Sequence, residues 1–474
     1  MMSSAAPRTI DEYRRGIRSG MFSAAEFLEE TANHIQGEDE SIHAFLHLRL
    51  DAARAEARRS EPVLALAGAP VAVKDNIMMA GERCTCASRI LADYVAPYSA
   101  TAVDKLLSAG AIVPGKTNLD EFAMGSSTEN SAFFATHNPR DLSRVPGGSS
   151  GGSTAAVAAG FALAAIGSDT GGSVRQPAAF CGVVGFKPSY GLVSRYGLVA
   201  FASSLDCIGP VTRSVKDTAI MMNILAGHDA RDATSVDEPS VDFEAALQPD
   251  LAGKRIGLIR ELADLSVQPD IEAALEEARR VAEQRGATIV EVSVPHILAA
   301  LPAYYVIAPA ECSANLGRYD GVRYGLRVEG RDMTETYSRT RNAGFGTEVK
   351  RRILIGTFVL SAGYYDAYYR KATEVRQLIS DEMDAAFSEA DALLTPTTPT
   401  TAFKLGAITD PLEMYKADVF TIPANLAGIP AISIPAGTDS QGLPIGLQLM
   451  GPRFGDAGLV STAGVLFEAL GGQA

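Results

Sequence analysis

The chain has 474 residues, of which 47% are hydrophobic and 21% charged, which is enough apolar material for a large buried core. This length suits roughly three domains or one large α/β domain with insertions. The formal net charge of −14 argues against tight nucleic-acid binding by the chain alone, because an acidic surface repels a phosphate backbone.

Apolar periodicity and turn residues predict alternating helices and short strands. In the helical N-terminal segment, Ser23 is the predicted N-cap, and Glu26 completes a capping box. A buried strand ends at Lys74. In chain order, the predicted elements are a helix at 9–48, a strand at 70–73, a helix at 102–109, a strand at 111–113, a buried helix at 155–166, a strand–helix–strand unit at 254–295, one or two long helices at 348–386, and short strands and turns at 428–449. Such alternation predicts an α/β fold.

Two stretches rich in Gly and Ser interrupt this pattern, at 128–154 and 168–204. Their composition is that of loops, yet they lie deep inside the chain rather than between domains. Long ordered loops of this kind tend to be functional. The unit at 254–295 is interpreted as a local excursion from the main sheet.

The five cysteines are sparse and odd in number, which favours reduced thiols and a cytoplasmic or organellar-matrix protein. Cys84 and Cys86 lack the spacing of the usual zinc knuckle, so we predict no metal site. Residues 1–15 lack the apolar segment of a secretory signal. The most apolar run, 155–166, is too short to cross a bilayer, which needs about 20 residues. We therefore expect no membrane association.

Two further motifs are interpreted as coincidences. Gly110 to Thr117 fits the P-loop pattern G-x4-G-K-T, but a helix precedes it, the strand lies within it, and Pro114 removes a donor N–H. Gly147 to Gly152 contains two overlapping G-x-S-x-G matches. That nucleophile elbow needs a later histidine, and neither His228 nor His296 lies in a Gly- or Asp-rich loop.

Lys74, Ser149 and Ser173 offer a nucleophile of another kind. Desolvation at the end of an apolar strand lowers the pKa of an amine, so that Lys74 becomes a neutral base; considered alone, it would be an ordinary solvated lysine. Gly171 and Gly172 let backbone N–H groups converge near Ser173, as an oxyanion hole demands. Because serine–lysine dyads are an alternative to the histidine triad, these residues make amide hydrolysis one candidate among several.

Longer strings around these residues resemble the amidase signature family. Gly147 to Ser153 is followed by a second serine within Asp169 to Pro177, and Lys74 lies in a Val-Lys-Asp-Asn context that matches the family's lysine. Gly185 to Pro188 and Ser204 to Asp206 fit its downstream motifs.

The resemblance implies a fold of the α/β class. It implies a single large amidase-signature domain over residues 1–474, with a central mixed β-sheet covered by helices on both faces. Its parts would be a helical segment at about 1–60 and a catalytic core at about 61–230. An excursion at about 250–340 and the C-terminal part would complete the substrate pocket.

The resemblance also implies roles for single residues. Ser173 would be the nucleophile that carries the acyl group. Ser149 would relay the proton and follow a cis peptide bond, and Lys74 would be the ultimate base. The oxyanion N–H groups would come from Thr170, Gly171, Gly172 and Ser173.

Within the family, the chain is most similar to the glutamine-hydrolysing components of glutamyl-tRNA(Gln)/aspartyl-tRNA(Asn) amidotransferases, over nearly its whole length. The similarity implies that the chain hydrolyses glutamine and sends the ammonia to a partner protein. Subunits B and C would complete a heterotrimer and provide the sites for tRNA, ATP and magnesium, so this chain is expected to hold no cofactor or metal. The telling stretches are 115–126, 315–324, 345–369 and 414–430.

A glutamine pocket needs a cation for the α-carboxylate and a carboxylate for the α-ammonium group. The family pattern leaves a choice of one position between Arg352 and Arg351 and between Tyr304 and Tyr305. The substrate-binding residues favoured here are Gly125, Ser126, Tyr304, Arg352 and Asp418. Cys207 departs from the pattern, because these amidotransferase components usually carry Gln there.

Two other functions stay open. A free-standing amidase acting on small aryl or aliphatic amides would need no paired arginine and aspartate in its pocket. A catalytically inactive scaffold is the second alternative, and the intact set of Lys74, Ser149 and Ser173 argues against it.

Overall fold

The computed structural model describes residues 7–472, and within that range the chain folds around one sheet of 11 strands. The strands are β1 (Phe45–Leu48), β2 (Val71–Lys74), β3 (Gly115–Thr117), β4 (Ala164–Asp169), β5 (Val184–Lys187), β6 (Cys207–Thr212), β7 (Arg255–Ile259), β8 (Thr288–Val292), β9 (Ala392–Pro396), β10 (Ala431–Thr438) and β11 (Pro444–Met450).

The α-helices of the described residues are α1 (Ile10–Arg18), α2 (Ala24–Ile42), α3 (Leu50–Ala57), α4 (Thr101–Ser108), α5 (Gly151–Ala159), α6 (Arg175–Cys181), α7 (Val215–Leu225), α8 (Pro269–Gln284), α9 (Ala300–Asn315), α10 (Met333–Gly344), α11 (Thr347–Val359), α12 (Lys371–Glu389), α13 (Pro411–Lys416), α14 (Ile422–Ala427) and α15 (Asp456–Ala469). Short 3₁₀ turns lie at Arg89–Leu91, Glu121–Ala123, Arg260–Leu262, Ile297–Ala299 and Leu316–Arg318, and a π-helical turn at Tyr365–Arg370 precedes α12.

The sheet is mixed, with the strand order β1-β3-β2-β4-β6-β5-β10-β11-β9-β7-β8. Strand β2 is parallel to both of its neighbours, and so is β7. The remaining pairs are antiparallel. They are β1 with β3 and each pair of neighbours in the run β4-β6-β5-β10-β11-β9. A mixed sheet of this kind was expected.

Helices cover both faces of the sheet, as expected. Successive side chains of a strand point to opposite faces, and β9 shows the consequence. Ala392 and Leu394 pack into an apolar cluster with α7, α8 and α15. Leu393, between them, packs into a second cluster with α9, α12 and α14. Both faces are therefore buried, which agrees with the α/β class.

For the N-terminal segment, the predicted helix cap is confirmed, but the predicted length of the helix is wrong. Ser23 accepts from the Glu26 backbone and the Glu26 side chain accepts in return, which confirms the capping box. The helix predicted at 9–48 is instead α1 and α2 followed by β1, which pairs with β3 at the edge of the sheet. Here strand pairing overrides local helical preference.

Three other predicted elements need correction. The apolar run 155–166 is a helix only up to Gly160, whose φ of +83° ends α5, and its second part enters β4. The strand predicted at 111–113 begins later, as β3, with Ile112 making only an isolated bridge. The segment 254–295 has the predicted strand–helix–strand order, but β7 and β8 continue the main sheet rather than leave it.

The P-loop-like segment is part of the sheet. Gly115–Thr117 is β3, paired on both sides, and the Lys116 amine binds the Asp75 carboxylate at 2.9 Å. One helical segment of the described residues, Ile297–Arg318, is long and apolar enough to cross a membrane, with a mean hydropathy of 1.3 and half of it buried in this fold. Its α9 portion packs against α11 and α12.

Candidate active site

The sheet brings the first Gly/Ser-rich loop, the second such loop and Lys74 to one edge. Strands β2 and β4 are parallel neighbours, with Val73 opposite Ile166, so Lys74 ends β2 beside Ser168. The loop from Thr170 to Ser173 follows at the end of β4. Ser149 lies just before α5, which packs against both strands. Residues far apart in sequence therefore meet at the carboxyl ends of two parallel strands.

Lys74 is completely buried among hydroxyl groups. Its Nζ lies 2.7 Å from Ser149 Oγ, 2.8 Å from Ser150 Oγ and 3.0 Å from Ser168 Oγ. Burial lowers the pKa of Lys74 to about 7, against an opposing influence of the nearest carboxylates, Asp120 first. The amine is therefore available as an uncharged base near neutral pH.

Ser149 and Ser173 differ in their exposure. Ser149 is fully buried, and the peptide bond before it is cis, as the resemblance implies. Ser173 is 8% exposed, which makes it the member of the three that can meet a solute. The two loops are joined through the backbone, since the Ser150 N–H donates to the Ser173 carbonyl at 3.0 Å. Within residues 7–472, the Ser173 hydroxyl makes no hydrogen bond that links it to Ser149.

A buried ion pair holds the loop that carries Ser173. Arg175 forms a bidentate pair with Asp169, through Nε at 3.0 Å and Nη2 at 2.9 Å, and both side chains are fully buried. Burial alone would raise the pKa of Asp169, but the Arg175 guanidinium outweighs it and holds that pKa well below its ordinary value. Asn425 and Gln448 fill further donor and acceptor positions of the pair. Such saturation is what a buried charge pair requires.

The expected oxyanion donors are not equivalent. The Gly172 N–H donates to Asp169 Oδ1 at 2.9 Å, so that donor is engaged in this structure. The φ of Gly172 is +135°, and a side chain there would collide with Thr421. Thr170, Gly171 and Ser173 remain as candidate donors. At Gly171 a Cβ would lie 2.7 Å from the Tyr304 ring, so any larger residue would force that ring to move.

Two more buried carboxylates support the loops. Asp206 accepts from the Thr170 hydroxyl at 2.6 Å, and burial raises the pKa of Asp206 to about 6. Asp120 accepts from the backbone N–H groups of Thr128 at 2.9 Å and Asn130 at 3.1 Å. Burial also raises the pKa of Asp120 to about 6. These contacts hold Thr170, just before Ser173, and the beginning of the first Gly/Ser-rich loop.

Arg352 lies in an aromatic box. Its guanidinium carbon is 5.5 Å from the ring centre of Phe201 and 5.3 Å from those of Tyr305 and Tyr415. The Nε donates to Glu348 at 2.8 Å, and the Tyr415 hydroxyl donates to the same carboxylate at 2.8 Å. This contact uses one edge of the guanidinium, so the η nitrogens stay available for a planar anion.

The choice between neighbouring arginines follows from their exposure. The Arg352 side chain is 4% exposed, whereas that of Arg351 is 38% exposed and pairs with Glu348 at the surface. Arg352 therefore fits a desolvated anion site better than Arg351 does.

Asp418 and Tyr304 complete the other side of this region. Ser126 donates to Asp418 Oδ2 at 2.7 Å, and burial raises the pKa of Asp418 to about 7. The positive charge of Arg352 lowers the pKa values of both Asp418 and Tyr304, although burial keeps each of them raised. Tyr304 contacts the loop of Ser173 at Gly171, whereas the Tyr305 ring stacks on a neighbouring tyrosine ring with centres 3.9 Å apart. Tyr304 is thus the tyrosine nearer the nucleophile.

A cavity of about 190 Å³ leads to this region. Gly125, Glu348, Arg352 and Tyr415 are among the residues that line it. A small amino acid fits this size, and the lining presents a cation close to a carboxylate. Of the predicted substrate-binding residues, Gly125 and Arg352 line the cavity directly, and the other three are not among its lining residues.

Sequence reasoning missed several supporting residues. Ser150 and Ser168 contact Lys74, and both lie in the Gly/Ser-rich stretches, but sequence reasoning gave neither of them a role. Glu348 and the aromatic box around Arg352 come from four separate segments, so no local pattern could have found them. The pair of Asp169 with Arg175 lies in the second Gly/Ser-rich stretch, where no apolar pattern signals that the two opposite charges are buried.

Among residues 7–472, no group of three or more His, Cys, Asp or Glu side chains could hold a metal ion. The five cysteines are buried and unbridged. Burial raises the pKa of Cys207, which stands in the position where Gln was expected.

Comparison with known proteins gives consistent matches. The family model described as Amidase matches residues 26–460. The A subunit of glutamyl-tRNA(Gln) amidotransferase from Halothermothrix orenii is 55% identical over 98% of this chain and 97% of its own length. The protein of that name from Thermosynechococcus vestitus is 55% identical over 96% of each chain. The crystal structure of the protein of that name from Thermotoga maritima is 48% identical, with a TM-score of 0.83 over 99% of this chain and 96% of that one.

Proposed function

Because the chain belongs to the amidase family, we propose that it is the glutaminase component of a tRNA-dependent amidotransferase, with Lys74, Ser149 and Ser173 as its catalytic residues. The observation that carries the catalytic assignment is the environment of Lys74. A fully buried amine with a pKa lowered by burial to about 7 lies 2.7 Å from a serine hydroxyl, between two Gly/Ser-rich loops.

The proposed chemistry uses these residues in the order that the resemblance to the amidase signature family implies. Uncharged Lys74 takes the proton of Ser149, which takes the proton of Ser173 as the Ser173 oxygen attacks the carboxamide carbon of glutamine. Backbone N–H groups of Gly171 and Ser173, with Thr170, stabilise the oxyanion. The intermediate collapses with the proton returned to the leaving nitrogen, so ammonia departs. Water then hydrolyses the ester on Ser173 and releases glutamate.

The pocket recognises the amino-acid end of glutamine. Arg352 binds the α-carboxylate through its η nitrogens, because its contact with the carboxylate of α11 leaves them free. Asp418 pairs with the α-ammonium group, and Ser126 orients that carboxylate. Gly125 lines the cavity, and Tyr304 packs beside the nucleophile loop. A hydrophobic amide offers neither charge, so this pocket favours glutamine over aryl and aliphatic amides.

The ammonia serves a partner. The chain assembles with subunits B and C as a heterotrimer in the cytoplasm, and the partners bind tRNA, ATP and magnesium. The ammonia converts Glu-tRNA(Gln) to Gln-tRNA(Gln), Asp-tRNA(Asn) to Asn-tRNA(Asn), or both. The names of relatives that are 55% identical over nearly the full length support this assignment.

A comparison of two ammonia sources tests the proposal. In the reconstituted complex, Lys74→Ala is expected to abolish glutamine hydrolysis and glutamine-dependent tRNA amidation, and to leave amidation with free ammonium largely intact. Loss of both amidation activities would point to a structural role. Arg351→Ala is the matched control, because Arg351 also lines the cavity but has a partly exposed side chain, so this variant is expected to retain glutaminase activity.

Two outcomes would reject the function itself. Fast hydrolysis of hydrophobic amides by the chain alone, without stimulation by subunits B and C, would favour a free-standing amidase. Failure of a glutamine-like electrophile to label Ser173 in the assembled complex would favour an inactive scaffold.

A further inference from the structure

Lys74 faces three hydroxyl groups, and only Ser149 belongs to the proposed relay. The distances of its Nζ to Ser149, Ser150 and Ser168 Oγ span a narrow range, from 2.7 to 3.0 Å. An uncharged amine has two N–H donors and one lone pair. For Lys74 to act as a base on Ser149, its lone pair must point there, and its two N–H groups must donate to Ser150 and Ser168.

Ser150 already meets this requirement. Its hydroxyl donates to the Ser168 carbonyl oxygen at 3.1 Å. The hydrogen of Ser150 is therefore committed, and its oxygen is left to accept an N–H of Lys74.

Ser168 needs an acceptor for its own hydrogen, and Asn76 is placed to provide one. The Asn76 amide lies 2.9 Å from Ser168 Oγ through the end assigned as Nδ2. Asn76 Oδ1 is buried and has no hydrogen-bond partner among residues 7–472. In that orientation the Ser168 hydroxyl donates to no acceptor among residues 7–472, so its hydrogen is left to compete for the Lys74 lone pair. Because the two ends of an amide have nearly the same shape, the reversed orientation puts Oδ1 against Ser168 and supplies the acceptor.

We propose that Asn76 is a positioning residue whose side-chain carbonyl accepts the Ser168 hydroxyl hydrogen, so that Ser149 alone can give its proton to Lys74. The inference rests on the proposed function of Lys74 as the base. Asn76 suits the role because it follows Lys74 by two residues, is buried, and is anchored through its backbone carbonyl, which accepts from the Val199 N–H at 2.9 Å.

The test is a double-mutant cycle on glutamine hydrolysis by the assembled complex. Asn76→Ala frees the Ser168 hydrogen to occupy the Lys74 lone pair, so kcat is expected to fall about tenfold while KM is unchanged. Ser168→Ala removes the competing hydroxyl. The double variant is therefore expected to have a higher kcat than Asn76→Ala alone. Losses that multiply, or a kcat for Asn76→Ala within about twofold of the native value, would overturn the proposal.

Asn76→Asp separates hydrogen bonding from charge. The carboxylate still accepts from Ser168, so kcat at high pH is expected to stay near the native value. Its negative charge joins those of Asp120, Asp169 and Asp206 around Lys74 and raises the pKa of Lys74, so the acid limb of the pH profile of kcat moves to higher pH. A merely structural role would lower the unfolding temperature of all Asn76 variants alike, without rescue by Ser168→Ala.

Lys74→Ala distinguishes failure of the proposed function of Lys74 from failure of the role assigned to Asn76. If Lys74→Ala retains glutaminase activity, the proposed function of Lys74 fails. If Lys74→Ala is inactive while the losses at Asn76 and Ser168 multiply, the assignment of Asn76 fails and the base remains.

Discussion

Replacement of Lys74 by Met should change how the stability of the protein depends on pH. Burial lowers the pKa of Lys74 from 10.5 to about 7 in the folded chain. Between these two values, the unfolded chain binds one more proton at this site than the folded chain does. The free energy of unfolding of the native protein therefore rises with pH in this window, and the Lys74→Met variant lacks that contribution.

The size of the effect follows from the two pKa values. Each pH unit well inside the window corresponds to about 1.4 kcal/mol, and integration from about pH 7 to about pH 9 gives about 2 kcal/mol. Equilibrium urea unfolding followed by circular dichroism, at about pH 7, 8 and 9 and constant ionic strength, measures the difference between the native protein and Lys74→Met. Over this range, the free energy of unfolding of the native protein should rise by about 2 kcal/mol relative to that of the variant.

Lys116 is the matched control, because it is also fully buried and lies on the neighbouring strand. Burial alone would lower the pKa of Lys116, but Asp75 at 2.9 Å outweighs it and raises that pKa above 10.5. Lys116→Met should therefore add no pH dependence over the same range. It should destabilise the protein by about 3–5 kcal/mol, because Asp75 is left buried and unpaired. Stability differences for Lys74→Met that do not change with pH would show that Lys74 stays charged, and would refute its role as a neutral base.

Further predictions concern the pocket and the loop. Asp418 must be ionised to bind an ammonium group, and burial raises its pKa to about 7, so the KM for glutamine should increase as the pH falls below about 7. Asp418→Asn should raise KM with a smaller effect on kcat, and steady-state kinetics would measure both changes. Arg352→Lys should raise KM about tenfold or more by removing a bidentate contact, whereas Arg351→Lys should have little effect in the same assay. Asp169→Asn should lower the free energy of unfolding by about 3–5 kcal/mol, measured by urea denaturation, because Arg175 is left buried without its counter-charge.

The fold was predictable where local signals are strong. The capping box at Ser23 and Glu26, the strand ending at Lys74 and the strand–helix–strand order at 254–295 depend on neighbouring residues and were correct. The apolar run 155–166 was wrong in its second half, because a short apolar run does not distinguish a buried helix from a buried strand.

The site was predictable only in part. Motif strings identified Lys74, Ser149 and Ser173 as candidates, and their resemblance to a known family supplied roles for them. The Gly172 N–H donates to the carboxylate at the end of β4, and no spacing rule could have shown that contact. Glu348 also went unnoticed, because on a helix surface it would be an ordinary charge, and only its contact with the buried arginine of α11 gives it a role.

The amino-acid sequence by itself determined the local elements and which residue types stand at which positions, because caps, turns and apolar periods depend on neighbours a few residues away. The tertiary structure decided what those residues can do. The parallel register of β2 and β4 places Lys74 beside Ser168, and the packing around it removes the water that would keep the amine charged. Basicity, proton direction and the choice of Arg352 over Arg351 all depend on burial and distance between segments that are remote in the chain.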